Sequence, residues 1–125
     1  MNLSTADISA TVATSDLNRA KQFYGETLGL KQAEENQAGV GYRGATGLVF
    51  VYQSNTAGSG KATAANFNVT DIAAVTRELK SKGVEFEHYD IPDVKWEDDV
   101  AVMGPMKMAW LKDPDGNTLG ITQMS

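Results

Sequence analysis

The sequence predicts an α+β fold in which one βαβββ unit occurs twice. Residues 10–17 and 65–72 are both strand-like runs that end in a hydroxyl residue, an Asp and an aliphatic residue. The two Asp residues, Asp16 and Asp71, lie 55 positions apart. A helix-like stretch follows each of them and ends at a glycine, and strand-like segments follow each helix. These repeated features predict a duplicated half-chain.

The first unit begins with a strand that ends near Thr14. Its helix is predicted from apolar residues at helical spacing, namely Leu17, Ala20, Phe23, Tyr24 and Leu28. We interpret Asp16 as the residue that caps the free amides of the first turn, and Gly29 suits the left-handed position that closes a helix. Three strands are expected next, at about 31–35, 40–43 and 48–53.

The second unit repeats this order. Asp71 is interpreted as a cap, Ile72, Val75 and Leu79 form an apolar helical stripe, and Gly83 closes the helix. Strands are expected at about 84–91, 100–103, 106–112 and 118–122. The small polar segment between the units predicts a flexible linker at 55–61. The expected organisation is one domain, 1–125, with module 1 at about 1–54 and module 2 at about 62–125.

Composition excludes several classes of function. The chain has 125 residues, a net charge of -5 and scattered basic residues, which does not suit a nucleic-acid partner. It has no Cys, which removes disulfides, thiolate nucleophiles and Cys-based zinc sites. No apolar run is long enough for a membrane span, and the N-terminus has no export-signal pattern. We expect a cytoplasmic protein without membrane partners.

Two motifs carry a family resemblance. TSDLNRAKQFYGETLGL (14–30) and KDPDGNTLGI (112–121) occur in the order and at the separation that are typical of the glyoxalase, bleomycin-resistance and extradiol-dioxygenase group. The chain therefore resembles the vicinal oxygen chelate (VOC) superfamily over nearly its whole length. The resemblance implies that the two modules form a cup-shaped, curved mixed sheet with the helices outside. It also implies a homodimer, in some members one that exchanges modules.

The resemblance also implies where a metal ion would bind. Metal-using members carry one ligand on the first strand and one on the last strand of each module. These positions fall on Ser9, on Ala64, on Gly120, and on Val49 or Val51. None is a metal ligand, so we expect no metal and no cofactor. Gly120, a glycine in mid-strand, occupies the place of a carboxylate.

The chain has a single histidine, His88. A lone His is more often structural than catalytic, and its functional alternative is a general base oriented by Asp90. A metal held by His88 with Asp90, or with the acidic run 97–99, is a second alternative. The acidic run itself is most simply a solvated loop, or else the mouth of a pocket.

A further set of residues predicts an apolar cup wall. If Ala109 and Leu111 pack under the helix, strand alternation places Met106, Met108 and Trp110 in the cup. The proposed ligand-binding set is completed by three more side chains: Tyr42, Tyr52 and His88. The alternative is that these residues form ordinary core or a dimer interface, because strand parity is not fixed by sequence.

Three functions follow from these observations. The leading hypothesis is a metal-free protein that binds a small organic ligand, sequestering a toxic or antibiotic compound. The second is a VOC enzyme, a lyase or dioxygenase with non-standard metal ligands or a metal-free catalyst that uses His88. The third is a structural or regulatory dimer with a collapsed cup.

Overall fold

The computed structural model describes residues 3–5 and 7–124. The first unit contains β1 (Ser9–Thr14), β2 (Lys31–Glu35), β3 (Gly39–Arg43) and β4 (Leu48–Gln53). Its helix α1 (Leu17–Lys21) continues as a π-helical segment, Gln22–Thr27. The second unit contains α2 (Ile72–Ser81) and six strands: β5 (Thr63–Asn68), β6 (Phe86–Glu87), β7 (Lys95–Glu97), β8 (Val100–Met103), β9 (Met106–Lys112) and β10 (Thr118–Met124). A short 3₁₀ turn, Leu3–Thr5, precedes β1.

The strands form two sheets, and the predicted α+β fold class is confirmed. The first sheet has the order β1-β4-β3-β2, and the second has the order β5-β10-β9-β8-β7, with β6 also paired to β9. In both sheets the first strand is parallel to the last strand of its unit, and the remaining pairs are antiparallel. β1 and β5 contact each other, so the two units meet along their first strands.

Most of the predicted strands are found, but the prediction of one long strand at 84–91 is wrong. Only Phe86–Glu87 pairs with β9, and only at Leu111 and Trp110. The other half of β9 pairs with β8, so little of β9 is left to pair with a longer strand. The acidic run is the end of β7 and the turn into β8, with Asp98 at φ 56°. Strand β7 was not predicted.

The helices begin and end as their sequences predict. The side chain of Asp16 accepts a hydrogen bond from the backbone N–H of Arg19 (3.2 Å), and Asp71 accepts one from Ala74 (3.1 Å). Gly29 and Gly83 have φ of 77° and 91°. Among the described residues, no helix is both long and apolar enough to cross a membrane.

Each sheet has a helix face, which the helices cover, and a cup face on the other side. Helix-face residues form the core, for example Val12, Val51 and Val40 in the first sheet and Leu111 and Leu119 in the second. Ile72 and Leu79 of α2 pack against the same core. Because alternate strand residues point to opposite sides, the residues between these positions belong to the cup face.

The turn between β9 and β10 joins the two units. Asp113, which is 5% exposed, accepts hydrogen bonds from the hydroxyl of Tyr24 and from the backbone and side-chain N–H groups of Asn117, all at 2.8 Å. Asp115 accepts from the backbone N–H of Ser15 (2.9 Å) and pairs with Arg19 (3.1 Å). Burial, then the charge of Asp113, raises the pKa of Tyr24, so its phenol stays a donor. The turn therefore fixes the start of α1.

The linker is also held against this turn, in contrast to the flexible connection that its composition predicts. The backbone N–H of Gly58 donates to Oδ1 of Asn117 (3.3 Å). A Cβ at Gly58 would lie 1.9 Å from the carbonyl oxygen of Asp115, and the residue has φ of 73°. Only glycine allows this close approach of the two backbones.

Candidate functional site

The cup face of the second sheet carries most of the chain's candidate ligand-binding groups. The strand register aligns its side chains across β7, β8, β9, β10 and β5. Its principal members are Trp96, Ala101, Met103, Met106, Met108, Trp110, Gly120, Thr122, Asn66 and Asn68. One side of this face is therefore aromatic and thioether, and the other is bare backbone with amides and a hydroxyl.

Four rings form a connected cluster at the aromatic side. The rings of Trp96 and Trp110 have centroids 6.3 Å apart, and Tyr89 meets Trp110 edge-on at 5.4 Å. His88 lies flat on Trp96, with centroids 4.2 Å apart and planes 7° from parallel. Trp110 is 8% exposed, whereas Tyr89 is 38% exposed. The cluster is thus buried at its centre and accessible at its rim.

The three residues of β9 in the predicted set lie together on this face. Ala109 and Leu111, at 0% and 1% exposed, are part of the core on the helix face. Met106, Met108 and Trp110 therefore point to the cup side, and the two methionines are half-buried. Unbranched Met side chains next to rigid rings give a surface that adapts to varied ligand shapes.

The two tyrosines of the first module are separated by the fold. Tyr42, which we expected on the cup wall, lies on the helix face, is 3% exposed and stacks on Tyr24 at 6.2 Å. Burial raises the pKa of its phenol. Its place follows from pairing, because Tyr42 is opposite Val49 in the core. Tyr52 lies on the cup face at the end of β4 and is 36% exposed.

The strand register also corrects the position equivalent to Gly120 in the first module. Val49 and Val51 lie in the core, so neither faces the cup. Gly120 pairs with Asn66, and the matching pair in the first module is Phe50 with Thr11. The cup-facing equivalent of Gly120 is therefore Phe50. This residue is no better a metal ligand than valine.

The four family positions thus do not fit a metal ion. They carry Ser9, Phe50, Ala64 and Gly120, which offer at most one hydroxyl. Within residues 3–5 and 7–124, no group of three His, Asp or Glu side chains has the arrangement of a metal site. A Cβ at Gly120 would lie 2.6 Å from Oδ1 of Asn66, so the amide of Asn66 takes the space that a longer side chain at 120 would need.

His88 is oriented by Asp99, not by Asp90 as the sequence suggested. Its Nε2 lies 2.8 Å from Oδ1 of Asp99, and the other carboxylate oxygen accepts from Lys80 of α2 at 2.8 Å. The hydrogen bond from Lys80, and then the one from His88, lowers the pKa of Asp99. Asp90 is adjacent only in sequence, because β6 ends before it. The pair places an oriented imidazole at the rim of the cluster.

Sequence reasoning missed Trp96 and Tyr89. Trp96 lies on the unpredicted strand β7, where its pairing with Ala101 places it on the cup face. In a single strand at 84–91, alternation would place Tyr89 on the face opposite His88, which is why the sequence did not indicate its place in the cluster. A tryptophan directly before the acidic run 97–99 was the one available signal for a short hairpin strand.

A separate apolar groove lies on the helix face. It has a volume of about 230 Å³ and runs between Leu28 and Leu30 of the first unit and Val69, Val75 and Leu79 of the second. Its walls are aliphatic side chains that pack against the core, with Phe67 and Glu78 also at the lining. Because its lining is mostly aliphatic, this groove is the competing site for an apolar ligand, but it has no ring cluster for an aromatic one.

Comparisons with known proteins agree on the fold. Residues 8–121 match the sequence model of the Glyoxalase/Bleomycin resistance protein/Dioxygenase superfamily. Three solved structures illustrate the similarity. A glyoxalase family protein from Bacillus anthracis is 18% identical, with TM-score 0.77 and 100% and 99% of the two chains covered.

The second is TnmS3, an antibiotic binding protein from Streptomyces sp. CB03234, which is 22% identical, with TM-score 0.75 and both chains covered fully (100% and 100%). The third is a superfamily member from Sphaerobacter thermophilus, at 23% identity and TM-score 0.72, with 98% and 99% covered. At these identities the structures show the shared fold alone. No curated protein sequence matches the chain.

Proposed function

Because this chain belongs to the Glyoxalase/Bleomycin resistance protein/Dioxygenase superfamily, we propose that it binds and sequesters a small aromatic compound without using a metal ion. The ligand lies on the cup face of the second sheet, against Trp110, Trp96 and the methionines of β9. A compound of the antibiotic or toxic type is the expected class. We also propose a homodimer, which light scattering of the purified protein tests.

One observation carries this proposal. Trp110 of the ring cluster pairs directly with Gly120, one of the positions where metal-using relatives are expected to hold their ion. A ligand there is bound by ring stacking, thioether contact and neutral hydrogen bonds, because no converging carboxylates are present among the described residues. Aromatic anchors at the centre of a contact surface contribute most of the binding energy.

The similarity to TnmS3 supports the ligand class. That protein is an antibiotic binding protein of the same fold, and the alignment covers both chains fully. The likeness does not identify a compound for this chain, and it guides only the choice of probes. Bleomycin, from the name of the superfamily, and 2-naphthamide, a neutral two-ring compound, are suitable.

The two tryptophans, the only ones in the sequence, allow a direct test. In a ¹H–¹⁵N correlation spectrum, both indole N–H signals should shift saturably when a probe binds, because both rings belong to the cluster. Trp110→Leu should weaken binding at least about tenfold. Val75→Met, which fills the helix-face groove, should leave the affinity within about twofold.

Two results would overturn the proposal. Saturable shifts at the methyl groups of Leu28 and Val75 with unmoved indole signals would place the ligand in the helix-face groove. A transition metal that copurifies in a one-to-one ratio, and whose removal by a chelator abolishes binding, would show a metal site instead.

A metal-free catalyst that uses His88 is the second candidate, and the His88–Asp99 hydrogen bond favours it. Under the binding proposal, His88→Gln leaves the probe unchanged in solution and its affinity within about threefold. Under the catalytic alternative, the wild-type protein converts a bound compound into a product that mass spectrometry detects. His88→Gln then abolishes that conversion.

A further inference from the structure

The polar side of the cup face is organised around the bare backbone of Gly120. In the strand register Gly120 lies between Trp110 on β9 and Asn66 on β5. Neighbouring strands are about 4.8 Å apart, so these three residues span a row of roughly 10 Å across the sheet. The aromatic wall stands at one end of the row and an amide at the other. Between these two residues, Gly120 adds no side chain to the cup face.

The amide of Asn66 is held in place by its neighbours. The hydroxyl of Thr122, which is 6% exposed, donates to Oδ1 of Asn66 at 3.0 Å, and Nδ2 of Asn66 donates to Oδ1 of Asn68 at 3.2 Å. Since any side chain at 120 would meet Oδ1 within 2.6 Å, the glycine is what lets the amide lean over the row. Two hydrogen bonds and the space above Gly120 therefore fix the orientation of the Asn66 amide.

Asn66 retains hydrogen-bonding capacity toward the cup. A primary amide has two N–H donors and two carbonyl lone pairs. The contacts to Thr122 and Asn68 use one donor and one lone pair, and the residue is exposed. Within the described part of the chain, one donor and one acceptor of Asn66 thus remain available, across Gly120 from the aromatic wall.

The charges around Asn66 favour a neutral group on the ligand at this position. The nearest cation that the register places on this side is Lys112, whose Nζ donates to Oγ1 of Thr118 at 2.6 Å. The chain as a whole has a net charge of -5. A free carboxylate on the ligand would lose its hydration and gain only one neutral donor from Asn66, whereas a neutral donor–acceptor edge satisfies both free groups.

We propose that Asn66, positioned by Gly120, binds the polar edge of the ligand where relatives use a metal ion. The ligand is thereby assigned to planar aromatic compounds that carry a neutral donor–acceptor edge, such as a primary amide or a lactam, and not a carboxylate. This inference rests on the proposed function, since it concerns the same face. It adds to the proposed function the kind of polar group with which the ligand contacts β5 and β10.

Three probes that share one ring system test this assignment. They are 2-naphthamide, N,N-dimethyl-2-naphthamide and 2-naphthoate, and their dissociation constants are measured from the shifts of the two indole N–H signals. Loss of the donor or addition of a charge should weaken binding about tenfold relative to 2-naphthamide. The side-chain NH₂ signals of Asn66 should shift with 2-naphthamide and much less with the other two.

Variants identify the amide as the cause. In Asn66→Ala the preference for 2-naphthamide should fall to less than about twofold, because 2-naphthamide loses two hydrogen bonds and the dimethyl amide, which keeps only its carbonyl acceptor, loses one. Gly120→Ala should have the same effect by displacing the amide, and the double variant should add nothing further. The matched control is Thr11→Ala, at the equivalent position of the first module. It should not change the preference for 2-naphthamide over the dimethyl amide or over 2-naphthoate.

The outcomes separate this inference from the proposed function. If all three probes shift the indole signals with equal affinity, or if Asn66→Ala retains the preference, the role of Asn66 is wrong and the binding face stands. If no probe moves the indole signals, the proposed function fails with it. Thermal unfolding of each variant verifies that the comparison uses folded protein.

Discussion

The same row of the sheet has opposite shapes in the two modules. In the first module it reads, from the first strand inward: Thr11, Phe50, Gly41. In the second module it reads: Asn66, Gly120, Trp110. The large aromatic residue and the glycine have exchanged places. The aromatic residue is on the last strand in the first module and on the strand before the last in the second module. A duplicated backbone can thus present two different surfaces without any change in topology.

The modules also differ in how their helices begin. Helix α1 starts after Ser15 and Asp16, and the turn of the other module holds Ser15, whose backbone N–H donates to Asp115. Helix α2 starts within its own module, where Oε1 of Gln123 accepts from the backbone N–H of Ile72 at 2.9 Å. The equivalent turn of the first module, residues 44–47, contains no acid. Of these two turns, only that of the second module therefore holds the helix of the other module.

Removing the carboxylate of that turn should have the largest effect. Asp113→Ala leaves the buried hydroxyl of Tyr24 and the amide of Asn117 without their acceptor. We expect the free energy of unfolding to fall by about 4 kcal/mol, measured by urea denaturation. Thr46→Ala in the equivalent turn should change it by less than about 0.5 kcal/mol. Equal small effects in both turns would show that the turn does not join the modules.

Alanine substitutions at two glycines compare how closely the strands are packed in the two sheets. A Cβ at Gly39 would lie 2.1 Å from the carbonyl oxygen of Val51, whereas at Gly120 it meets the movable end of Asn66. Gly39→Ala should therefore cost about 3 kcal/mol, because backbone must shift, and Gly120→Ala less than about 1 kcal/mol. Thermal or urea unfolding measures both. The reverse order would contradict the close contact between β3 and β4.

The large residues of the two rows form the next comparison. Trp110→Leu removes the edge contact with Tyr89 and the contact with Trp96, and we expect a loss of about 2 kcal/mol. Phe50→Leu, at a half-buried position, should cost less than about 1 kcal/mol. Urea denaturation followed by circular dichroism measures both. Similar losses would mean that the ring cluster adds nothing to the second module.

The smallest effect concerns pH at the two helix starts. Burial opposes it, but hydrogen bonds from Ser15 and Thr14 and the charge of Arg19 hold the pKa of Asp115 below its ordinary value. Because the folded pKa is below the unfolded one, about 3.9, the stability is present above that pH. It is lost as pH falls through the folded value.

Asp115→Asn should therefore lower the free energy of unfolding by about 1 kcal/mol at pH 7, and the difference from wild type should vanish on acidification below about pH 4. Gln123→Ala, at the start of α2, should have an effect that does not depend on pH, since an amide does not titrate in this range. A constant difference for Asp115→Asn across pH 3–7 would contradict the depressed pKa.

The register of the strands explains where sequence reasoning stopped. The sequence predicts Val49 or Val51 as a cup position and Tyr42 as a wall residue, but all three lie in the core. Alternation shows which residues share a face, and it does not show which face is covered by a helix. The same limit explains Tyr89, because residues 88–91 leave the strand once β9 has no more free edge.

The sequence by itself determined the duplicated unit, the two helix caps, most strand bounds, and a glycine at position 120, where the family resemblance implies a carboxylate. These are local features, since caps, turns and alternation depend on residues a few positions apart. Only the tertiary structure decided that Trp96 joins Trp110, that Asp99 orients His88, and that Asn66 leans over Gly120. Those contacts join distant strands whose pairing and exposed face are set by packing of the whole chain.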